Sequence, residues 1–443
     1  MARADRPALM TAAAAGPPSP EVARRAVEAV WRIESARIVA ALARYTGDFG
    51  LAEDLAQEAL AEALVSWERE GAPTSPVGWL LATARRRAID HYRRRAARDQ
   101  RYALLGSQLA EGEASSGAPA PPGPGDDLLW DPDRVDDDLL SLMFIACHPV
   151  LSPEARVALT LRAVAGLASE EIARAFLVPV PTVQARITRA KKTIAAAGVP
   201  FEPPPAEERR GRIGGVLSVL YVIFTEGSTA TSGDQLLRPD LGYEAIRLTR
   251  MLAALLPDEP EVSGLLALCE LTAARFPART GPDGEPVLLE DQDRRLWDRS
   301  AIRRGLAALG RATAVGRGLG PYGLQAAIAA CHAGAPSVAE TDWERVVLLY
   351  EALGRVAPSP VVELNRAVAV AMATGPQQAL AIVDELAAGD RLSGSYLLPS
   401  VRGELLRRLG RTAEARAELE LAARLCRNTR ERSVLLRKAA ALP

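Results

Sequence analysis

Residues 151–194 read LSPEARVALTLRAVAGLASEEIARAFLVPVPTVQARITRAKKTI, and this stretch decides the fold. Ser169 is the predicted N-cap of a first helix, with Glu170 and Glu171 in the first turn, where the helix dipole favours acidic residues. A proline within residues 177–180 ends that helix, and Pro181 suits the first position of the next helix. The pattern predicts a helix-turn-helix.

The second helix of this pair is predicted to have one buried side and one basic side. Val183, Ile187 and Ile194 recur at helical spacing. Lys191 and Lys192 are two of only three lysines among the 54 basic residues of the chain. A helix with an apolar stripe and a basic stripe can enter the DNA major groove. The alternative is a solvated charged side of an ordinary helical hairpin. The basic side comprises Gln184, Arg186, Arg189, Lys191 and Lys192.

Nearer the N-terminus, a second basic helix is predicted from residues 79–92 onward. Eight arginines and two aspartates lie between residues 81 and 101, and Trp67, Trp79 and Tyr92 are interleaved with the basic segment. Aromatic rings beside arginines are typical of single-stranded DNA binding, where bases stack and phosphates pair with cations. The alternative is that these aromatic residues belong to the core.

Residues 51–67, LAEDLAQEALAEALVSW, predict an acidic helix before the basic one. Leu51, Leu55, Ala59 and Ala63 form one apolar stripe at helical spacing. The residues off that stripe make an acidic face, which comprises Glu53, Asp54, Gln57, Glu58 and Glu62.

Composition favours a multidomain chain with apolar cores, because 48% of its 443 residues are hydrophobic and its net charge is only −1. The four cysteines are far apart, as expected in a reducing cytoplasm. Cys147-His148 and Cys331-His332 lack the usual metal-ligand spacing, so neither a metal nor a cofactor is predicted. Without a signal sequence or a membrane-length apolar run, the expected location is cytoplasmic and off the membrane.

The whole chain is predicted to be all-α, because helical periodicity recurs and strand alternation does not. Pro, Gly and Ser-rich segments divide it into five parts. These are a disordered N-terminus (1–20), a helical block (21–105), a flexible linker (106–130), the helix-turn-helix block (131–200) and a helical tail (201–443).

The tail contains an internal repeat. Residues 364–388 are similar to residues 403–424, and Gly375 and Gly410 occupy equivalent places 35 residues apart. This spacing is close to the tetratricopeptide (TPR) period and predicts a TPR-like superhelix with a concave face. The alternative is a plain helical bundle.

The motifs, in this order, resemble a known family. Residues 52–64 (AEDLAQEALAEAL) and 77–95 (VGWLLATARRRAIDHYRRR) resemble region 2 of the extracytoplasmic-function (ECF) sigma factors of bacterial RNA polymerase, and residues 151–194 resemble their region 4. The tail segments resemble the long C-terminal extension of one sigma subgroup with TPR-like tails, notably YVIFTEGSTATSGDQLLRPDL (221–241), LLEDQDRRLWDR (288–299), GPYGLQAAIAACHA (320–333) and PSPVVELNRAVAVA (358–371).

The resemblance implies three sets of binding residues and no catalytic residues. Core polymerase, through its beta-prime clamp, would contact Asp54, Gln57 and Glu58. The minus-ten element would contact Arg86, Arg87, Arg93, Arg94 and Trp79, with residues 70–75 cradling a flipped base. The minus-thirty-five element would contact Thr182, Gln184, Arg186, Arg189 and Lys192, on a region that also binds the beta flap.

The resemblance therefore implies a sigma factor that initiates transcription, with a tail that regulates it through a protein partner or an intramolecular contact. One alternative is a one-component helix-turn-helix regulator with a TPR sensor, which leaves the acidic and basic helices without a role. Another is an enzyme with a metal held by Glu290, Asp291 and Asp293. That reading is disfavoured because DQDRRLWDR is typical of an ion-paired helix surface and the chain has no nucleophile motif.

Overall fold

The computed structural model describes residues 20–107, 135–282, 284–389, 392 and 394–442. Over these residues the chain is all-α, as predicted, with eighteen α-helices and no strand. The segments predicted as a disordered N-terminus (1–20) and a flexible linker (106–130) lie outside the described residues, apart from Pro20, Gly106 and Ser107. In the described part, no helix combines the length and the apolar character that crossing a bilayer requires.

The chain divides into two compact units. The first comprises residues 1–146, 159–167 and 188–204, and the second comprises residues 147–158, 168–187 and 205–443.

Four long helices form most of the first unit. They are α1 (Pro20–Thr46), α2 (Phe49–Glu70), α3 (Pro76–Ser107) and α4 (Val135–Ala146). Asp48 caps α2 by accepting a hydrogen bond from the Leu51 amide (3.1 Å). A π-helical segment, Thr160–Val164, belongs to the same unit. Trp31 of α1 donates its indole N–H to the Gly166 carbonyl just beyond that segment (3.1 Å).

The predicted helix-turn-helix consists of α6 (Ser169–Phe176) and α7 (Val180–Ala196), and α5 (Pro153–Leu159) precedes it. Its helix ends differ by one residue from the prediction. Ala168, not Ser169, is the N-cap of α6, and its amide donates to the Glu171 carboxylate (2.8 Å). Pro181 is the second residue of α7 rather than the first. Leu177 makes the turn in the left-handed region, with φ 51°.

The tail forms most of the second unit. Its helices are α8 (Ala206–Ser228), α9 (Pro239–Leu255), α10 (Pro260–Ala273), α11 (Arg299–Ala314), α12 (Pro321–Gly334), α13 (Trp343–Val356), α14 (Pro360–Ala373), α15 (Pro376–Ala388), α16 (Leu397–Arg408), α17 (Thr412–Leu425) and α18 (Thr429–Ala440). Several begin at a proline, whose fixed φ suits the first turn.

Part of the tail departs from the predicted run of helices. Residues 291–299 are predicted from the sequence to be an ion-paired helix surface, but residues 291–298 form a loop with one 3-10 turn at Arg294–Leu296, and α11 begins at Arg299. Asp293 and Asp298 each cap the element that follows, which explains two of the carboxylates. Trp297 is buried, so this segment belongs to the interior as much as to the surface.

A glycine lies at the turn of each of two helical hairpins near the end of the tail. Gly375 lies between α14 and α15 with φ 112°, and Gly410 lies between α16 and α17 with φ 75°. Both values fall where a Cβ is strained, so glycine suits both turns. Ala379 and Ala415, one turn further on, are fully buried in one shared core.

Candidate functional site

A buried carboxylate on α2 organises the first unit. The Glu53 side chain is only 4% exposed, and its Oε1 accepts a hydrogen bond from Arg162 Nε (3.0 Å). Its Oε2 accepts from Lys191 Nζ, which also donates to Asp54 Oδ1 (2.7 Å). Two cations thus neutralise Glu53. The prediction that Glu53 belongs to an exposed acidic face is wrong, because α2 turns it toward these two cations.

Asp54 remains at the surface, with its side chain 66% exposed. Its partner Lys191 is only 16% exposed. Burial by itself would lower the pKa of Lys191, but the charges and hydrogen bonds of Glu53 and Asp54 outweigh it and raise that pKa. Lys191 therefore does not lie on the exposed basic side of α7 that the sequence predicts, whereas Lys192 does.

The two other predicted polymerase contacts differ in their surroundings. Gln57 is half-buried. Glu58 is 52% exposed and accepts from Arg87 Nη1 (2.9 Å). Arg87 also donates to Glu62 through Nε (3.1 Å) and Nη2 (2.7 Å). The hydrogen bond to Glu62 is the largest cause that raises the pKa of Arg87. The structure thus joins Arg87, a predicted promoter contact, to Glu58, a predicted polymerase contact.

The remaining predicted minus-ten residues lie along α3. Arg93 and Arg94 are exposed, and Arg86 donates to Thr83 Oγ1 (3.0 Å). Trp79 is half-buried and meets the buried Trp67 edge to face, with 5.7 Å between ring centroids. Trp79 is therefore held by the core while keeping part of its ring accessible.

Tyr92, which the sequence groups with the DNA-facing aromatic residues, is half-buried, and its hydroxyl donates to the Thr46 carbonyl (3.0 Å). This bond joins α3 to the end of α1, so the residue has a packing role.

Most of the predicted minus-thirty-five residues lie away from the buried side of α7. Val183, Ile187 and Ile194 are buried as the apolar stripe predicts. Gln184, Arg189 and Lys192 are exposed, whereas Thr182 and Arg186 are half-buried at the edge of the buried side, and Arg186 also lines a cavity with α8.

In the second unit, the helix-turn-helix is joined to the tail by contacts that sequence reasoning missed. Arg238 pairs with Glu226 near the end of α8 and also donates to the Ala175 carbonyl in α6. Beside this contact lies a cavity of about 390 Å³, which both α8 and the helix-turn-helix line. Its lining includes Val157, Phe176, Val183, Arg186, Val219 and Val222. No local pattern signals this contact, because its members lie up to 63 residues apart.

Comparison with known families agrees with this geometry. Residues 32–98 match sigma-70 region 2, and residues 141–194 match sigma-70 region 4. The first match contains the acidic and basic helices, and the second contains the helix-turn-helix. Residues 212–313 match a family of unknown function, DUF6596. The two sigma-70 matches support a sigma-70, ECF-like relationship for residues 32–194.

One relative resembles the chain over most of its length. It is the uncharacterized protein R00370 of Rhizobium meliloti, 44% identical over 400 residues, which cover 88% of this chain and 90% of that protein. The probable ECF RNA polymerase sigma factor SigI of Mycobacterium tuberculosis is 28% identical over 188 residues, which cover 41% of this chain and 59% of SigI. No solved structure gives a significant match.

Proposed function

We propose that this chain is an ECF-type sigma factor that binds core RNA polymerase, recognises promoter DNA and initiates transcription. The observation that carries the proposal is the pair of exposed carboxylates, Asp54 and Glu58, on a region 2 helix of a chain that also holds a region 4 helix-turn-helix. The resemblance assigns Asp54, Gln57 and Glu58 to the beta-prime clamp, and it implies a second contact between region 4 and the beta flap. The cytoplasm is the expected place of action.

The proposal assigns each of the two basic helices to a different promoter element. Exposed Arg93 and Arg94 of α3 suit the phosphates of the minus-ten element. The outer side of α7, around Gln184 and Arg186, suits the base edges of the minus-thirty-five element. Both roles are binding and positioning, so we assign the chain no catalytic group.

The contact between Lys191 and Asp54 bears on how the first unit would act. It joins Asp54, which is proposed to bind polymerase, to Lys191, which lies on the helix proposed to read DNA. While Asp54 pairs with Lys191, its negative charge is partly neutralised, and its attraction to polymerase is weaker. Binding to polymerase through Asp54 therefore requires α2 and the second half of α7 to separate.

We further propose that the tail regulates the helix-turn-helix. The bond from Arg238 to the Ala175 carbonyl, together with the Glu226–Arg238 pair, supports this role because it joins α8 and its following loop to α6. The two glycine-separated hairpins at α14–α17 support a TPR-like concave surface for a protein partner.

The test is a pull-down of purified core RNA polymerase with the D54A/E58A double variant. The wild-type protein should bind core enzyme without DNA and support run-off transcription from the DNA upstream of its own gene. The double variant should lose binding by at least about 100-fold while keeping its helical circular dichroism spectrum. Glu68, exposed on the same helix, supplies the matched control E68A, which should bind like the wild type.

A one-component regulator would behave differently. It would bind its own upstream DNA while ignoring core polymerase, and D54A/E58A would leave that DNA binding unchanged. Wild-type protein that is folded yet fails to bind core enzyme at low salt would contradict the sigma-factor proposal.

A further inference from the structure

Two arginines lie against one buried tryptophan in the second unit, and a third arginine lies near them. The guanidinium carbon of Arg294 lies 4.6 Å from the centroid of the Trp297 ring, and that of Arg275 lies 5.4 Å from it. Trp297 is only 3% exposed. Arg279, one turn beyond Arg275, is close enough to repel it electrostatically. Arg275, Arg279 and Arg294 are each half-buried.

Within the described residues, none of these three arginines has a carboxylate oxygen within 4 Å. Arg279 donates to the Ser228 carbonyl (2.5 Å) and to Thr229 Oγ1 (3.1 Å). Arg275 donates to Gln292 Oε1 (3.2 Å). Arg294 donates to the carbonyls of His332 (2.5 Å) and Ala335 (2.7 Å). Carbonyls at helix ends carry only a partial negative charge, so these bonds leave the cluster with a net positive charge.

A second arginine cluster in the same unit contains a carboxylate that neutralises it. Arg250 and Arg304 both bind Glu270, which is 2% exposed, at 2.5 and 3.0 Å. Around Trp297 no such carboxylate is present among the described residues. Glu340 and Glu431 act on Arg294 and Arg279 only from beyond ion-pair distance.

Arginine cannot relieve this imbalance by losing its proton, unlike lysine. Burial first, then the like charges of Arg279 and Arg294, lower the pKa of Arg275 to about 10, so it stays cationic at neutral pH. Burial first, then the charges of Arg275 and Arg294, lower the pKa of His332 to about 4, so His332 is uncharged at neutral pH.

Three buried polar atoms around the cluster also have no hydrogen-bond partner in the part of the chain that the structure describes. They are Arg294 Nη2, Trp297 Nε1 and His332 Nδ1. Each such group costs roughly 1–3 kcal/mol when it is left unpaired. Unsatisfied polar atoms beside an uncompensated positive charge are what an anionic ligand would use.

We propose that Arg275, Arg279 and Arg294, with Trp297 and His332, form a binding site for a small oxyanion, the carboxylate or phosphate group of a metabolite. The guanidinium fork matches both groups with paired hydrogen bonds. The site gives a role to the LLEDQDRRLWDR segment and to His332, which the sigma-factor regions leave unexplained.

The position of the site connects it with the helix-turn-helix through bonds inside the second unit. Arg279 holds the last residue of α8, Ser228, by its carbonyl. Glu226, two residues earlier, pairs with Arg238, which donates to the Ala175 carbonyl of α6. An oxyanion that binds Arg279 therefore acts at the C-terminus of α8. Glu226 of the same helix pairs with Arg238, which contacts α6. Oxyanion binding itself does not rest on the proposed sigma function.

The test is calorimetric titration of the full-length protein with inorganic phosphate and, separately, with malonate, each against chloride at equal ionic strength. The two titrations distinguish a phosphate ligand from a carboxylate ligand. R275Q should weaken the binding of the preferred anion at least tenfold. R295Q is the matched control, because Arg295 lies in the same segment, is 89% exposed and pairs with Asp293; it should change the affinity less than twofold.

Hydrogen exchange separates this site from the exposed basic helices, which also attract anions. Added anion should slow exchange at residues 225–230 and 292–297 in the wild type and in R295Q, but not in R275Q. The proposal is overturned if neither oxyanion binds wild-type protein better than chloride, if R275Q and R295Q bind alike, or if protection is confined to α3 and α7. The wild-type titration and exchange decide the matter even if R275Q fails to fold.

Discussion

Two buried charge clusters, one in each unit, differ in their balance. In the first unit, Glu53 is neutralised by Arg162 and Lys191 through side-chain contacts within ion-pair distance. In the second unit, Arg275 and Arg294 lie against Trp297 and Arg279 lies near Arg275. The hydrogen-bond acceptors of these three arginines are carbonyl, hydroxyl and amide oxygens. The first cluster has its counter-charge within the protein, whereas the second has none at ion-pair distance among the described residues.

This difference indicates two uses of buried charge. A neutralised pair is costly to break, because removing one partner leaves the other charge buried and unpaired. Glu53 therefore holds α2, the π-helical segment and the second half of α7 together. An unbalanced group of cations instead gains from a counter-ion that comes from outside. The first cluster is a structural contact and the second a candidate ligand site.

The largest effect is expected from E53Q, which removes the counter-charge of the first cluster. Arg162, 18% exposed, would then lie beside a neutral amide, and Lys191, 16% exposed, would keep only the exposed Asp54 as its counter-charge. The free energy of unfolding should fall by about 3–5 kcal/mol, measured by urea denaturation. The control E62Q acts on a pair that is 37% exposed on both sides and should cost about 1 kcal/mol or less. Equal losses in the two variants would show that burial does not distinguish them.

The next effect concerns pH and the second cluster. The folded pKa of His332, about 4, lies below its unfolded value of about 6.5, so the unfolded chain binds more protons between these values. The contribution of His332 to stability is complete above pH 6.5 and is lost as the pH falls toward 4, by up to about 3 kcal/mol. In urea denaturation at a series of pH values, H332Q should lose less stability over this window than the wild type. Parallel profiles would contradict a neutral, cation-flanked His332.

A smaller effect is expected from K191A, which opens the first cluster without unbalancing Glu53, because Arg162 remains. Loss of a contact worth about 1 kcal/mol corresponds to about a fivefold change in an equilibrium. Affinity for core polymerase should therefore rise about fivefold in a binding titration, since Asp54 becomes free. K192A, at the exposed neighbouring lysine, should leave core affinity unchanged. A loss of core affinity in K191A would mean that Lys191 does not compete for Asp54.

The smallest effect is expected from R275M, which removes one cation from the unbalanced cluster and keeps an unbranched side chain of similar length. Relief of repulsion from Arg279 and Arg294 should offset the lost contacts with Gln292 and Trp297. The free energy of unfolding in chloride buffer should change by about 1 kcal/mol or less. A loss as large as that of E53Q would show that the second cluster is balanced within the protein.

Much of the fold follows from local pattern. The apolar stripe of Val183, Ile187 and Ile194 predicts the buried side of α7, and Gly375 predicts the break between two tail helices, because both depend on residues close in sequence. The burial of Glu53 could not be predicted, because Arg162 and Lys191 lie 109 and 138 residues away. The pairing of Arg87 with Glu58 could not be predicted either, because these two residues lie 29 positions apart on different helices.

The sequence alone determined that this chain is helical and carries two sigma regions, since periodicity, capping residues and motif order are local properties. Only the tertiary structure decided which charged side chains pair within the protein and which remain available to a partner. Glu53 and Asp54 are adjacent and chemically alike, yet one is buried between two cations and the other faces solvent. Burial and distant partners set that difference, and neither is encoded at the residue itself.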